Sequence, residues 1–241
     1  MNEDKIPYLI IGGGKLASHL CSYFSMLGIE YLQWTRSSGE PPETKLHFCE
    51  KILLAIPDKE LEKEIEIIYP AISDEQMIIH FSGALSFSNA ESVHPLMSFS
   101  GNPYDLETYK SIPFCTIKGR KTFPEIFPEL PNKYFEIEEP DKILYHALVS
   151  MAGNFTTILL KDVFNKLKEI GVAKQNLQPY LLQTLNNVCN LDDALTGPFS
   201  RKDFNTIELH KNVLRDSHLY ELYDAFFKYY FERRELVESD N

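Results

Sequence analysis

Residues Tyr8 to Ala17 read YLIIGGGKLA, a short apolar run that breaks into glycines and resumes as a helix. A strand, a tight turn and a helix N-terminus need residues in that order to hold a dinucleotide pyrophosphate. Gly12 lets the chain turn, Gly14 lets the backbone approach phosphate, and Ala17 lets the helix pack closely on the strand. Gly13, Lys15 and Leu16 complete the turn. The freed N–H groups at the helix start, backed by the helix dipole, attract an anion. Leu16, Leu20, Tyr23, Phe24 and Leu27 keep helical spacing until Gly28 stops the helix. A glycine turn with no ligand is the competing reading.

The second strand, Glu30–Trp34, ends in Thr35-Arg36-Ser37-Ser38. An NAD site places an Asp or Glu about twenty residues past the glycines, where it bonds the ribose 2′-hydroxyl. No acid stands at this strand end. An Arg between hydroxyl residues suits a 2′-phosphate instead, so Thr35, Arg36 and Ser37 point to NADP as the cofactor.

The chain has 241 residues, 44% of them hydrophobic and 12% aromatic, enough for a packed core of one large or two modest domains. A net charge of −11 argues against nucleic acid or an anionic membrane surface as partner. No apolar run approaches the length of a membrane span, and Met1–Lys5 lack a secretory apolar region. Cys21, Cys49, Cys115 and Cys189 are scattered without ligand spacing, which indicates free thiols in a reducing cytoplasm and no metal site.

Strands alternate with helices through the first half, the pattern of a parallel sheet flanked by helices. Strands are expected at Lys51–Ile56, Gln76–Phe81, Ser92–His94, Pro113–Lys118 and Tyr134–Ile137, with a helix at Lys59–Tyr69. From Asp141 onward the sequence is helical. Lys142–Ile170 reads as one spine helix ending at Gly171, followed by helices at 174–190, 201–214 and 216–236. The expected organisation is an α/β Rossmann-like domain, 1–139, then an all-α domain, 140–241, for substrate and dimerisation.

Lys142, His146, Ser150 and Asn154 recur every fourth residue and share one helix face. Asn154, among apolar neighbours Met151, Phe155 and Ile158 that look buried, suits orienting a carbonyl or carboxylate; His146 can supply a proton. Lys142 reads as part of a solvated stripe. In the second cluster, Leu195–Asp203, Thr196-Gly197-Pro198 breaks one helix and Ser200 can cap the next, placing Arg201 in its first turn. Arg201 there opposes the helix dipole and suits a carboxylate grip, with Asp203 holding it; a structural Arg201–Asp203 link is the alternative. Ile56-Pro57-Asp58, Ser82-Gly83 and His94 lie at strand ends, where parallel sheets bind ligands. His80 reads as a satisfied strand histidine and His94 as a better exposed candidate.

The stretches IIGGGKLA, LLAIPDKEL, IIHFSGALS, VHPLMSF, YHALVSMAGNF and ALTGPFSRKDFNTIELH cover much of the chain. They resemble Rossmann-type reductases with a helical C-terminal domain, related to 6-phosphogluconate dehydrogenase and pyrroline-5-carboxylate reductase. Among these the chain is most similar in function to the alternative ketopantoate reductases. That resemblance implies NADPH, reduction of 2-dehydropantoate to pantoate, a cytoplasmic setting and a homodimer formed through the helical domain. Related dehydrogenases carry a proton-donating Lys four residues before the helix Asn, where this chain has Ser150. His146, one turn earlier, is the expected substitute, directly or through a water. An imine reductase, which needs no strong acid, and a non-catalytic nucleotide-binding protein are the alternative readings.

Overall fold

A computed structural model describes residues 6–239, with side chains described as far as Phe231. Met1–Lys5, on which the expectation of no secretory apolar region rests, lie outside the described residues. The first part of the chain alternates strand and helix: β1 (Ile6–Ile11), α1 (Lys15–Leu27), β2 (Tyr31–Trp34), a 3-10 turn (Arg36–Ser38), α2 (Glu43–Leu46), β3 (Cys49–Leu54), α3 (Asp58–Ile68) and β4 (Met77–His80). Then come β5 (Glu91–Ser92), β6 (His94–Pro95), α4 (Leu106–Ser111), β7 (Phe114–Ile117), α5 (Phe123–Ile126) and β8 (Tyr134–Ile137). Strands β2-β1-β3-β4-β5 form one wholly parallel sheet. A smaller sheet, β6-β7-β8, pairs β6 antiparallel and β8 parallel to β7. The chain is therefore an α/β protein of Rossmann type followed by a helical region.

Both faces of the main sheet are covered, so its central strands are continuously apolar rather than alternating. Period-two geometry sends Tyr8 and Ile10 to one face, with Phe24 of α1 and Phe127, and Leu9 and Ile11 to the other, with Leu61 and Ile65 of α3. The expected strand at 92–94 is divided at Val93: Ser92 ends the main sheet and His94 opens the smaller one. That switch turns His94 toward the strand ends of the main sheet.

The helical elements are α6 (Lys142–Ser150), a π-helical segment (Met151–Phe155), α7 (Thr156–Glu169), α8 (Lys174–Asn190), α9 (Phe204–Leu214) and α10 (Leu219–Ser239). The expected spine helix is thus interrupted by a wide turn, which shifts the facing of everything after Ser150. The chain separates into two compact units, Met1–Phe155 and Thr156–Asn241. The expected boundary at 139 coincides with the 3-10 turn Glu139–Asp141, where strands give way to helices. Helix α6 nonetheless belongs to the first unit, because its first residue, Lys142, is bonded into that unit's core.

Contrary to the sequence reading, the described residues include one helix, Glu139–Glu169, long and apolar enough to cross a membrane by length and composition. Residues 143–160 within it contain no Asp, Glu, Lys or Arg, and their aliphatic side chains outweigh His146, Ser150 and Asn154. In the second unit, Ile207 is the one fully buried large apolar side chain among the described residues, whereas Leu182, Leu185, Val188, Leu209 and Val213 are exposed.

Candidate active site

The end of β1 is tied on both sides. The Gly12 N–H donates to Trp34 O on β2, and the Ala55 N–H after β3 donates to Ile11 O, each at 2.9 Å. Gly12 adopts φ +142°, and a Cβ there would collide with the Ala55 carbonyl oxygen. No other residue type fits so tight a crossing. A cleft of about 610 Å³ opens over this turn. Gly12, Gly13, Gly14, Lys15 and Leu16 form one wall, Trp34, Thr35, Arg36 and Ser37 a second, and Ala55, Ile56 and Pro57 a third, with Glu60 beside them. A Cβ on Gly14, the N-cap of α1, would meet no protein atom, so the backbone there faces the open cleft. Ala17 is fully buried beneath the turn, where a small residue keeps α1 close to the sheet.

This geometry fits a dinucleotide. Unpaired N–H groups at the start of α1 suit a pyrophosphate, and the Arg36 turn sits at the distance from them set by one parallel strand spacing. The Thr35 and Ser37 hydroxyls bond each other at 2.8 Å. Arg36, whose side chain is 78% exposed, forms an ion pair with Glu60 of α3. Sequence reasoning found no acid at the β2 end, and there is none, but α3 brings one from a different strand connection.

A second cluster lies at the ends of β4 and β6. Ser82 donates to Asp58 Oδ2 at 2.7 Å, and its hydroxyl accepts the Ala84 and Leu85 N–H groups, fixing the loop after β4. A Cβ on Gly83 would collide with the His146 ring and lie 3.0 Å from His94 Nε2. The absence of a side chain at 83 is therefore what lets both imidazoles close over the loop. The two rings are perpendicular with centroids 5.7 Å apart. His94 Nδ1 is 2.9 Å from the Tyr145 hydroxyl. Burial pushes the Tyr145 phenol well above its usual range, so it keeps its proton. Burial, with the His146 and Lys142 charges, pushes His94 down to about 4. The contact with the phenol engages Nδ1 and leaves Nε2 on the Gly83 side.

Lys142 departs from the expected solvated stripe. It is only 3% exposed, and its ammonium donates to the Ser82 and Leu85 carbonyl oxygens. Burial lowers its pKa to about 8. His80 also departs from expectation, since it is fully buried and neither ring nitrogen has a partner. Burial and the Lys142 and Arg120 charges push it down to about 3, so it is a neutral core residue.

The first unit brings His146 onto Ser82-Gly83 but leaves Asn154 exposed in the π-helical segment, its neighbours Met151, Phe155 and Ile158 exposed as well. Apolar spacing there does not correspond to a face covered among the described residues. In the second unit, α9 begins at Phe204 rather than near 201. Lys202 takes φ +54° and breaks the helical path, and Asp203, not Ser200, is the N-cap, accepting from the Thr206 N–H at 3.1 Å. Arg201 therefore lies in the preceding turn. The Asp203 carboxylate also accepts the Thr206 hydroxyl at 2.7 Å; these bonds lower its pKa, with a smaller electrostatic contribution from Arg201. Sequence reasoning missed Tyr145 and Glu60 and misplaced Lys142. A lysine and a tyrosine on the same apolar helix as His146 were the available signal for two of them.

A family model described as a domain of unknown function, DUF2520, matches residues 116–229. No curated protein matches the chain. Among solved structures, a Bacteroides fragilis protein provisionally named an NADP oxidoreductase is 19% identical with a TM-score of 0.77, covering 95% of this chain and 98% of its own. A Streptomyces aurantiacus imine reductase is 11% identical with a TM-score of 0.67, covering 95% of both chains. Plasmodium falciparum pyrroline carboxylate reductase with NADP bound is 14% identical with a TM-score of 0.59, covering 94% and 99%. These likenesses establish a common fold.

The buried histidines imply a defined acid response. In the unfolded chain a histidine takes up its proton near pH 6.5, whereas His94 and His80 in the fold do so near 4 and 3. Between those limits the unfolded state binds more protons, so stability is complete above pH 6.5 and falls as pH drops through 4. Urea midpoints measured from pH 7 to 4 are expected to decline, and less steeply in His94→Gln. An identical slope in that variant would show that His94 is not held neutral.

Proposed function

We propose that this protein is an NADPH-dependent reductase of a small 2-keto acid, with 2-dehydropantoate as the substrate and pantoate as the product. One observation carries the reading: a single cleft joins the glycine turn and the start of α1 to a guanidinium flanked by two hydroxyl residues. The turn residues Gly12, Gly13, Gly14, Lys15 and Leu16 would hold the pyrophosphate, with Ala17 supporting them. Thr35, Arg36 and Ser37 would hold the 2′-phosphate, Ile56 and Pro57 the adenosine side, and Ser82 and Gly83 the nicotinamide end. The likeness of fold to NADP-named proteins agrees with this. When bound, the reduced nicotinamide supplies the hydride.

The protein's own groups position the substrate and handle the proton. His146 delivers a proton to the nascent alkoxide oxygen, directly or through a water, in place of the lysine missing at Ser150. His94, kept neutral and oriented by Tyr145, offers Nε2 for a hydrogen bond on the same side of the Ser82-Gly83 loop. Asn154 and Arg201 orient the keto acid, and Asp203 shapes the Arg201 turn through Thr206. Free cysteines in every described position agree with a cytoplasmic setting.

A second reading, reduction of a cyclic imine, is favoured by the neutrality of the buried histidines, because a protonated imine brings its own proton. Nicotinamide absorbance with ketopantoate and with pyrroline-5-carboxylate decides between the two. The keto-acid reading expects NADPH consumption with ketopantoate alone; turnover of the imine alone replaces it, and turnover of neither points to a non-catalytic binder. With ketopantoate, His146→Gln is expected to lower kcat by about 100-fold or more while KM changes little. Unchanged turnover in a folded variant would remove His146 from the chemistry.

We also infer a homodimer formed through the second unit, supported by the exposed apolar side chains of α8 and α9. Light scattering after size-exclusion chromatography should give twice the 27.9 kDa chain mass; a monomer at micromolar concentration would refute the inference.

A further inference from the structure

Arg36 and Glu60 face each other across one wall of the glycine-turn cleft, Arg36 on the turn after β2 and Glu60 in the first turn of α3. Their guanidinium and carboxylate are paired, and Glu60 is half-buried while Arg36 is largely exposed. If the dinucleotide reading of the cleft is right, the adenosine ribose arrives at this pair. The two forms of the ribose then ask different things of it. A 2′-hydroxyl needs an acceptor, which Glu60 offers without disturbing Arg36. A 2′-phosphate needs the guanidinium, so Arg36 must turn away from Glu60 and leave a carboxylate close to a dianion. The other cleft groups at this end, Thr35 and Ser37, are neutral and favour neither form by charge. Glu64, one turn further along α3, adds a second negative group within electrostatic reach of both partners.

We propose that Glu60 is the residue that sets the choice between the phosphorylated and unphosphorylated dinucleotide, by competing with the 2′-phosphate for Arg36 and by accepting the 2′-hydroxyl. The cleft is then a two-way site: Arg36 serves one cofactor and Glu60 the other. An acid at the end of β2 would do the second job only. An acid on α3 does it through a pair that a phosphate can break.

The sole tryptophan of the chain, Trp34, lines the same cleft and reports occupancy by its fluorescence. NADPH and NADH are titrated separately into the full-length protein, Glu60→Gln and Glu62→Gln, the last being an exposed charge on α3 outside the cleft. At low ionic strength Glu60→Gln is expected to bind NADPH about tenfold more tightly and NADH at least about threefold more weakly, with the tenfold gain shrinking in 0.5 M salt. Glu62→Gln should leave both within about twofold. If the wild type binds a dinucleotide but Glu60→Gln shifts NADPH by less than twofold, the role of Glu60 is refuted and the cleft assignment stands. If no variant and no wild type responds to either dinucleotide, the cleft assignment itself is wrong.

Discussion

The crossing of the chain at Gly12 beneath the Ala55 carbonyl governs the arrangement of this protein. Strand β1 lies between β2 and β3, and its last residues are hydrogen bonded to both neighbours. The chain has to leave the sheet where there is no room for a side chain, and a left-handed glycine is the conformation that allows it. Because it leaves there, α1 starts over the strand ends with its N–H groups free. The Thr35–Ser37 turn and the Ala55–Pro57 connection close in from either side. Three separate connections thus share one cleft, since parallel strands all present the same end to it.

A second constraint acts further along the same sheet edge. Moving an ammonium out of water costs several kcal/mol even after relaxation, so a buried lysine requires partners in fixed places. Lys142 finds them in the carbonyls of Ser82 and Leu85. That bond ties the start of α6 to the loop after β4, and one turn later His146 falls against Gly83. The loop is in turn held by Ser82 on Asp58 at the head of α3. The imidazoles of His94 and His146, the buried amine and the cleft-lining helix α3 are therefore linked by direct contacts, although they come from three different stretches of the sequence.

Much of the fold was legible because the signals were local. The apolar run before Gly12, the spacing of Leu16, Leu20, Phe24 and Leu27, and Gly28 as the stop specify β1 and α1 without reference to the rest of the chain. The same holds for α8, read at 174–190 and found at Lys174–Asn190. Where reading failed, a local signal had a competitor. Ser200 is a good cap, but Lys202 takes a left-handed conformation and Asp203, closer to the helical run, bonds Thr206. The long run from Lys142 is apolar enough for one helix, yet the backbone widens at Met151–Phe155, where Gly153 and Asn154 mark a weak point without specifying a wide turn.

The sequence by itself determined β1, α1, β2, β3, α3 and β4, the glycine turn and the guanidinium beside it, because each depends on neighbours within one or two turns of chain. Only the tertiary structure decided that Glu60 meets Arg36, that Lys142 is buried, and that Tyr145 orients His94. Those pairings join residues 24, 60 and 51 positions apart in the chain. Their charges and hydrogen-bonding groups are compatible with many partners, and only the packing of strand ends and helices selects one.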